Sequence, residues 1–179
     1  MRRVGVFVNV TNQFYSVLTA FRGGKVDYTK YLRESVSPEG YELYRAIAYG
    51  VQIGNEAQSF IAALQRAGYD TRYKPAKVVD GKANVRDTDW AIGMAMDVIR
   101  HLEHLDVVVL GCNDPSLIPL VEFIKERGIR VVIYSCRIPQ ELQRAADYSF
   151  EISEDVLETK RSQPQVEEAS SNEPATVAE

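Results

Sequence analysis

Short oxygen-bearing side chains collect where the apolar runs of this sequence end. Asn9 and Asn12 follow the run Val4 to Val8, and Asn113, Asp114 and Ser116 follow Asp106 to Gly111. Asp97 lies two turns after Asp89 in a long periodic segment, so the two fall near one helical face. The stretch from Lys82 to Asp89 adds Lys82, Arg86, Asp87 and Asp89. Short oxygen donors converging on one edge suit a hard cation such as Mg²⁺ or Mn²⁺. Such an ion would activate a water and clamp a phosphodiester. Arg72, Lys74, Lys77, Lys82 and Arg86 are interleaved with Tyr73. That pattern suits a track for a polyanionic strand, with Tyr73 as a stacking face.

Each of these residues also has a plainer reading. Asn9 and Asn12 can serve as turn residues that satisfy loop backbone groups. Asp114, directly before Pro115, is a natural N-cap, and capping accounts for it as well as metal binding does. The basic run from Arg72 to Arg86 can be a solvated face. Asp97 is harder to set aside, because Met94, Ala95, Met96 and Val98 around it are apolar and a carboxylate there needs a partner. His101 and His104 sit near a helix C-terminus, where cations are favoured, and lack a third ligand for zinc. Ser116 has no neighbouring base to make it a nucleophile. Trp90 and the pair Met94 and Met96 read as packing residues.

The elements that must position these groups alternate between strand and helix signals. Strands are expected at Val4–Val8, 41–49, 69–74, 106–111 and 131–134, with a further apolar stretch at 148–152. Helices are expected at 13–18, 27–36, 55–66, 89–105, 117–127 and 139–146, with Gly23-Gly24, Gly68 and Gly128 as breaks. This rhythm predicts one α/β domain with a central parallel sheet of about five strands covered on both faces. In such a sheet, chemistry is placed at the carboxyl edge where the strand order reverses. The ends of the first and fourth strands should flank that point.

Composition sets the outer bounds. At 179 residues, 45% hydrophobic and 26% charged, the chain suits one soluble globular domain. No run of 18 apolar residues exists, and Met1-Arg2-Arg3-Val4 leads straight into a strand, so neither a membrane span nor a leader is expected. Cys112 and Cys136 stand alone at strand ends, as buried reduced thiols of a cytoplasmic protein would. The formal charge of −4 is unevenly placed. Residues 154–179 hold seven acids against Lys160 and Arg161, a net −5, so the rest carries about +1. A folded domain is therefore expected over 1–153 and an acidic, disordered tail over 154–179, solvating or partner-binding.

Four stretches together resemble the NYN domain, a PIN-like nuclease group that includes the LabA-like proteins. Val6 to Asn12 is similar to its opening strand and D-x-x-N. Lys82-Ala83-Asn84 with Trp90 to Asp97 is similar to K-x-N-W-D-V-G-I-A-V-D. Val107 to Val121 is similar to the strand carrying S-G-D-S-D-F-V-P-L-V, and Gly128 to Val131 to the following G-K-x-V. The resemblance covers about residues 3–152 and implies a PIN-like three-layer fold and a Mg²⁺- or Mn²⁺-dependent ribonuclease acting on RNA. Asn12, Asp97 and Asp114 match its motif. Asn9, Ala91 and Ser116 stand where it has Asp.

Charge decides how much those exchanges matter. A carboxylate near a divalent ion contributes several kcal/mol, by order of magnitude, at intermediate dielectric. Replacing two of them by an amide and a hydroxyl leaves one weak site, held by Asp97 and Asp114, with Asp87 or Asp89 as substitutes. Asn9 and Asn12 would then position metal-bound water or phosphate. Lys82, Arg86, Lys74 and Ser116 would meet the substrate. The leading expectation is an RNA-associated NYN-class protein with a reduced endoribonuclease site. The alternatives are an active ribonuclease relying on Asp87 or Asp89, and a non-catalytic module that binds proteins through pocket and tail. A homodimer is a further expectation. A Rossmann-type nucleotide binder is disfavoured, because the first loop has no glycine-rich cradle.

Overall fold

The computed structural model describes residues 1–52, 57–79, 82–84 and 90–159. Strand β1 (Arg2–Asn9) occupies the middle of a six-stranded sheet of order β3-β2-β1-β6-β7-β8. The other members are β2 (Tyr41–Gln52), β3 (Asp70–Pro75), β6 (Val107–Gly111), β7 (Arg130–Ser135) and β8 (Tyr148–Glu151). Every neighbouring pair in it is parallel. The apolar run at 148–152 is thus a sixth, edge strand. Two short strands, β4 (Lys77–Val79) and β5 (Lys82–Asn84), pair antiparallel apart from the sheet, in a region read from sequence as loop.

Two helical layers cover the sheet, which is why β6 is buried at every position. Helices α1 (Val10–Ala20), α2 (Tyr28–Ser35) and α3 (Ala57–Arg66) pack on one face, where Val17, Tyr31 and Leu64 meet Val4, Val6 and Val8. Helices α4 (Ala91–His101), α5 (Ile118–Glu126) and α6 (Gln140–Ala145) pack on the other, where Met94, Val98, Ile124 and Leu142 meet Phe7 and Leu110. Gly111 is needed where the layers close on β6. A Cβ there would stand 2.7 Å from the Tyr31 hydroxyl and 2.9 Å from Gln13 Nε2, both of which donate to the Tyr134 carbonyl.

Two boundaries differ from the sequence reading. The loop expected over Asn9–Asn12 does not exist, because α1 starts at Val10, directly after β1. At the other end, a 3₁₀ turn at Glu154–Val156 buries Val156 in the core, and Leu157 bridges Val26. The packed unit therefore passes residue 153, where the tail was expected to begin, because Val156 still has apolar surface to bury. Cys112 and Cys136 are both buried, and no disulfide joins them.

Candidate functional site

The order of the sheet puts its reversal between β1 and β6, so the two strand ends expected to flank the site do so. Asn9 closes β1 in an extended conformation, and its Oδ1 accepts from the Asn12 backbone N–H at 3.0 Å. That bond satisfies one of the orphan donors of the first helical turn, which lets the strand pass into α1 without a loop. Asn12 in turn pairs with Asn113 across the reversal. Its Nδ2 donates to Asn113 Oδ1 at 2.8 Å, and its Oδ1 accepts from the Asn113 N–H at 3.1 Å. Asn113 Nδ2 also donates to Ser16 Oγ and to the Cys136 carbonyl. This uncharged network ties the ends of β1, β6 and β7 to α1. The sequence reading grouped Asn113 with the oxygen donors after β6 but did not anticipate these bonds. A polar residue at a strand end beside a buried thiol was the available signal.

Asp97 lies on the buried face of α4, with its side chain 12% exposed. Both of its oxygens are engaged. Oδ1 stands 3.2 Å from an Arg100 guanidinium nitrogen, while Oδ2 accepts from the Tyr49 hydroxyl at 3.1 Å and lies 3.7 Å from Arg72 Nε. Register explains this grouping, because Asn9, Tyr49 and Arg72 are lateral neighbours across β1, β2 and β3. Burial, and then the adjacent Asp97 carboxylate, push the Tyr49 hydroxyl well above its ordinary range, so it remains a donor. The ring nitrogen Nδ1 of His101 contacts the Asp97 carbonyl oxygen at 2.6 Å.

The remaining expected residues are dispersed. Asp114 Oδ1 accepts from the Ser116 N–H at 2.9 Å, the N-cap of the 3₁₀ turn Pro115–Leu117. Ser116 itself is exposed. Lys74 Nζ stands 4.0 Å above the Trp90 ring, and Trp90 Nε1 donates to the Gly50 carbonyl. Lys82 is exposed on β5. Arg86, Asp87 and Asp89 lie outside the described residues. Alternation along β3 also separates what the sequence reading joined. Arg72 and Lys74 reach α4, whereas Tyr73 packs on the opposite face with the α1–α3 cluster, so it cannot stack beside them.

Even a weakly held divalent cation needs one or two carboxylates whose oxygens are not already engaged, with waters and substrate oxygens to complete its shell. Among the described residues no group of three or more His, Cys, Asp or Glu side chains could hold an ion. Asp97 is already matched by two guanidinium groups, and Asp114 is turned to its own backbone. The described donors therefore do not fit a hard metal ion.

The family model for the NYN domain matches residues 3–154. A crystal structure of a protein of unknown function, VPA0982 from Vibrio parahaemolyticus RIMD 2210633, superposes with a TM-score of 0.75 at 28% identity. The match covers 87% of this chain and 96% of that one. No curated protein matches. Among the described residues, no helix is long and apolar enough to cross a membrane.

Proposed function

The chain belongs to the NYN domain family, and from that premise we propose that it binds RNA through a nuclease-like site whose metal-dependent endoribonuclease chemistry is reduced or lost. The family is nuclease-like, and its nucleases typically depend on a divalent metal. One observation carries the reading. The acid at position 97 is paired with Arg72 and Arg100 and with the Tyr49 hydroxyl, and Asn9 next to that row has no charge to add. A divalent ion would reach Asp97 only by displacing a guanidinium, against the repulsion of the second.

The same groups favour a polyanion. Arg72 and Arg100 expose about half or more of their side chains, and Lys74 lies on the same face of β3 as Arg72. Asp97 holds the two guanidinium groups in place, and their remaining N–H donors are available to phosphate oxygens. In this arrangement Arg72, Arg100 and Lys74 neutralise the backbone, and the amide pair Asn12 and Asn113 keeps the strand ends rigid beside it. The affinity is electrostatic and needs no metal.

Binding of a fluorescent single-stranded RNA, measured by anisotropy with EDTA and then with Mn²⁺, tests this. The expected result is equal affinity in both and no cleavage. Cleavage that requires Mn²⁺ and is lost in Asp97→Asn would establish an active nuclease, with Asp87 or Asp89 as the acid to examine next. Absence of any RNA affinity would leave the protein-binding alternative.

A further inference from the structure

The two edges of the sheet are built differently. Strand β3 carries Asp70, Arg72, Lys74 and Pro75 within six residues. Charges and proline on an edge strand hinder another strand from pairing with it. Strand β8, at the other edge, reads Tyr148-Ser149-Phe150-Glu151. Its one charge is tied down, because the Glu151 carboxylate accepts from the Arg137 and Ile138 N–H groups. Among the described residues β8 pairs with β7 alone, so one side of its backbone has no strand beside it.

The side chains of β8 are equally open. Tyr148 and Phe150 are 49% and 56% exposed, the most exposed aromatic residues among those described. Both lie on the face of β8 that continues Val132 and Tyr134 of β7, their register partners. Their rings stand 6.4 Å apart and almost parallel. With Val109, these residues line a cavity of about 480 Å³ beside the end of α2. The apolar surface therefore runs out to the edge of the sheet and is exposed there, as surfaces that meet another protein are.

We propose that β8 pairs antiparallel with β8 of a second copy of this chain, about a two-fold axis at Ser149. Identical strands paired antiparallel are related by such an axis, so the contact closes at two copies. With Ser149 opposite its own counterpart, Tyr148 stands opposite Phe150 of the partner subunit on the same face, and four rings meet. Charge selects the antiparallel sense. Arg130, 5.5 Å over the Tyr148 ring, and Arg144, in the last turn of α6, flank the start of β8. Asp147 at that end is held by Lys125 and by the Val131 N–H. Glu151, Glu154 and Asp155 mark the other end, against Arg137. Antiparallel pairing sets the cations of one copy against the acids of the other, twice, whereas parallel pairing sets like against like. Because β8 lies across the sheet from Arg72 and Lys74 on β3, the pairing does not depend on the RNA-binding reading.

The test is the mass of the full chain in solution, followed by sedimentation as concentration rises. A short strand and four rings make a small interface, so the mass should pass from one chain to two at about micromolar concentration. Phe150→Lys, which puts a charge on the open edge, should hold the chain at the mass of one copy, with its far-UV circular dichroism unchanged. Ser149→Cys should give a covalent dimer under mild oxidation, because directly opposed Cβ atoms stand about 4.5–5.5 Å apart. The wild-type chain, whose two cysteines are buried, should give none. A single-chain mass at every concentration overturns the proposal and leaves the edge to a strand of another protein. A mass that grows past two copies overturns the two-fold axis. A dimer that survives Phe150→Lys, or in which Ser149→Cys stays uncoupled, is formed elsewhere and overturns it too.

Discussion

The two faces of β3 solve opposite problems at one edge of the sheet. On the α4 face a buried carboxylate, Asp97, has more partners than it has oxygens: two guanidinium groups and a tyrosine hydroxyl. On the α1–α3 face a buried hydroxyl, Tyr73, has none among the described residues. A charge removed from water must be paired within the fold, so the α4 side is internally complete. A neutral hydroxyl is cheaper to leave unpaired than a charge is. The difference teaches that an acid at a family position is no measure of metal chemistry until its neighbours are counted.

The strongest way to break this contrast is to undo the pairing. Adding a carboxylate in Asn9→Asp and removing a cation in Arg72→Gln should together raise Mn²⁺ affinity by orders of magnitude, read by calorimetry, since each charge change is worth several kcal/mol near a divalent ion. Asn9→Asp alone should give a smaller gain. No gain in either would mean that position 9 does not face the Asp97 oxygens.

The aromatic side can be broken from beneath. Gly50→Ala puts a Cβ against the Tyr73 ring and Val10, and overpacking of this kind costs about 1–3 kcal/mol in urea denaturation.

Alkaline titration separates the two faces more gently. Burial raises the Tyr73 hydroxyl from 10.0 to about 12, whereas Tyr49 is raised by burial and also by Asp97. Asp97→Asn should therefore lower the pH at which Tyr49 ionises and leave Tyr73 unmoved, as read from tyrosinate absorbance. Because both folded values lie above the unfolded one, their contribution to stability is complete below about pH 10. It is lost as pH rises, through about 12 for Tyr73 and higher for Tyr49.

The smallest expected effect is ionic. With Arg72, Arg100 and Lys74 on phosphates, the logarithm of RNA affinity should fall against the logarithm of salt with a slope of about −2. Lys74→Gln should make that slope shallower by about 0.7. A slope near zero would remove the polyanion from the account.

Much of this was legible in the sequence, for reasons that particular residues make plain. The run Val107 to Leu110 could only be a doubly covered strand, and Asp114 before Pro115 was legible as the N-cap it is, whereas Asn9, read as a turn residue, caps α1. That Asp97 needed a partner followed from its apolar neighbours. Which partner did not follow, because Tyr49 and Arg72 reach it only through the register of three strands. The opposite facing of Tyr73 and Lys74 was available from the period of a strand, and reading the basic run as one track overlooked it. The bonding of Asn113 was not legible, because its four bonds join segments far apart in the chain.

The most direct test of the central claim is RNA affinity and integrity measured side by side in EDTA and in Mn²⁺, for the wild-type chain and for Asp97→Asn. A domain whose Asp97 is paired by its own guanidinium groups predicts the same affinity with and without the ion, and intact RNA throughout. Cleavage that appears with Mn²⁺ and disappears in Asp97→Asn would contradict it.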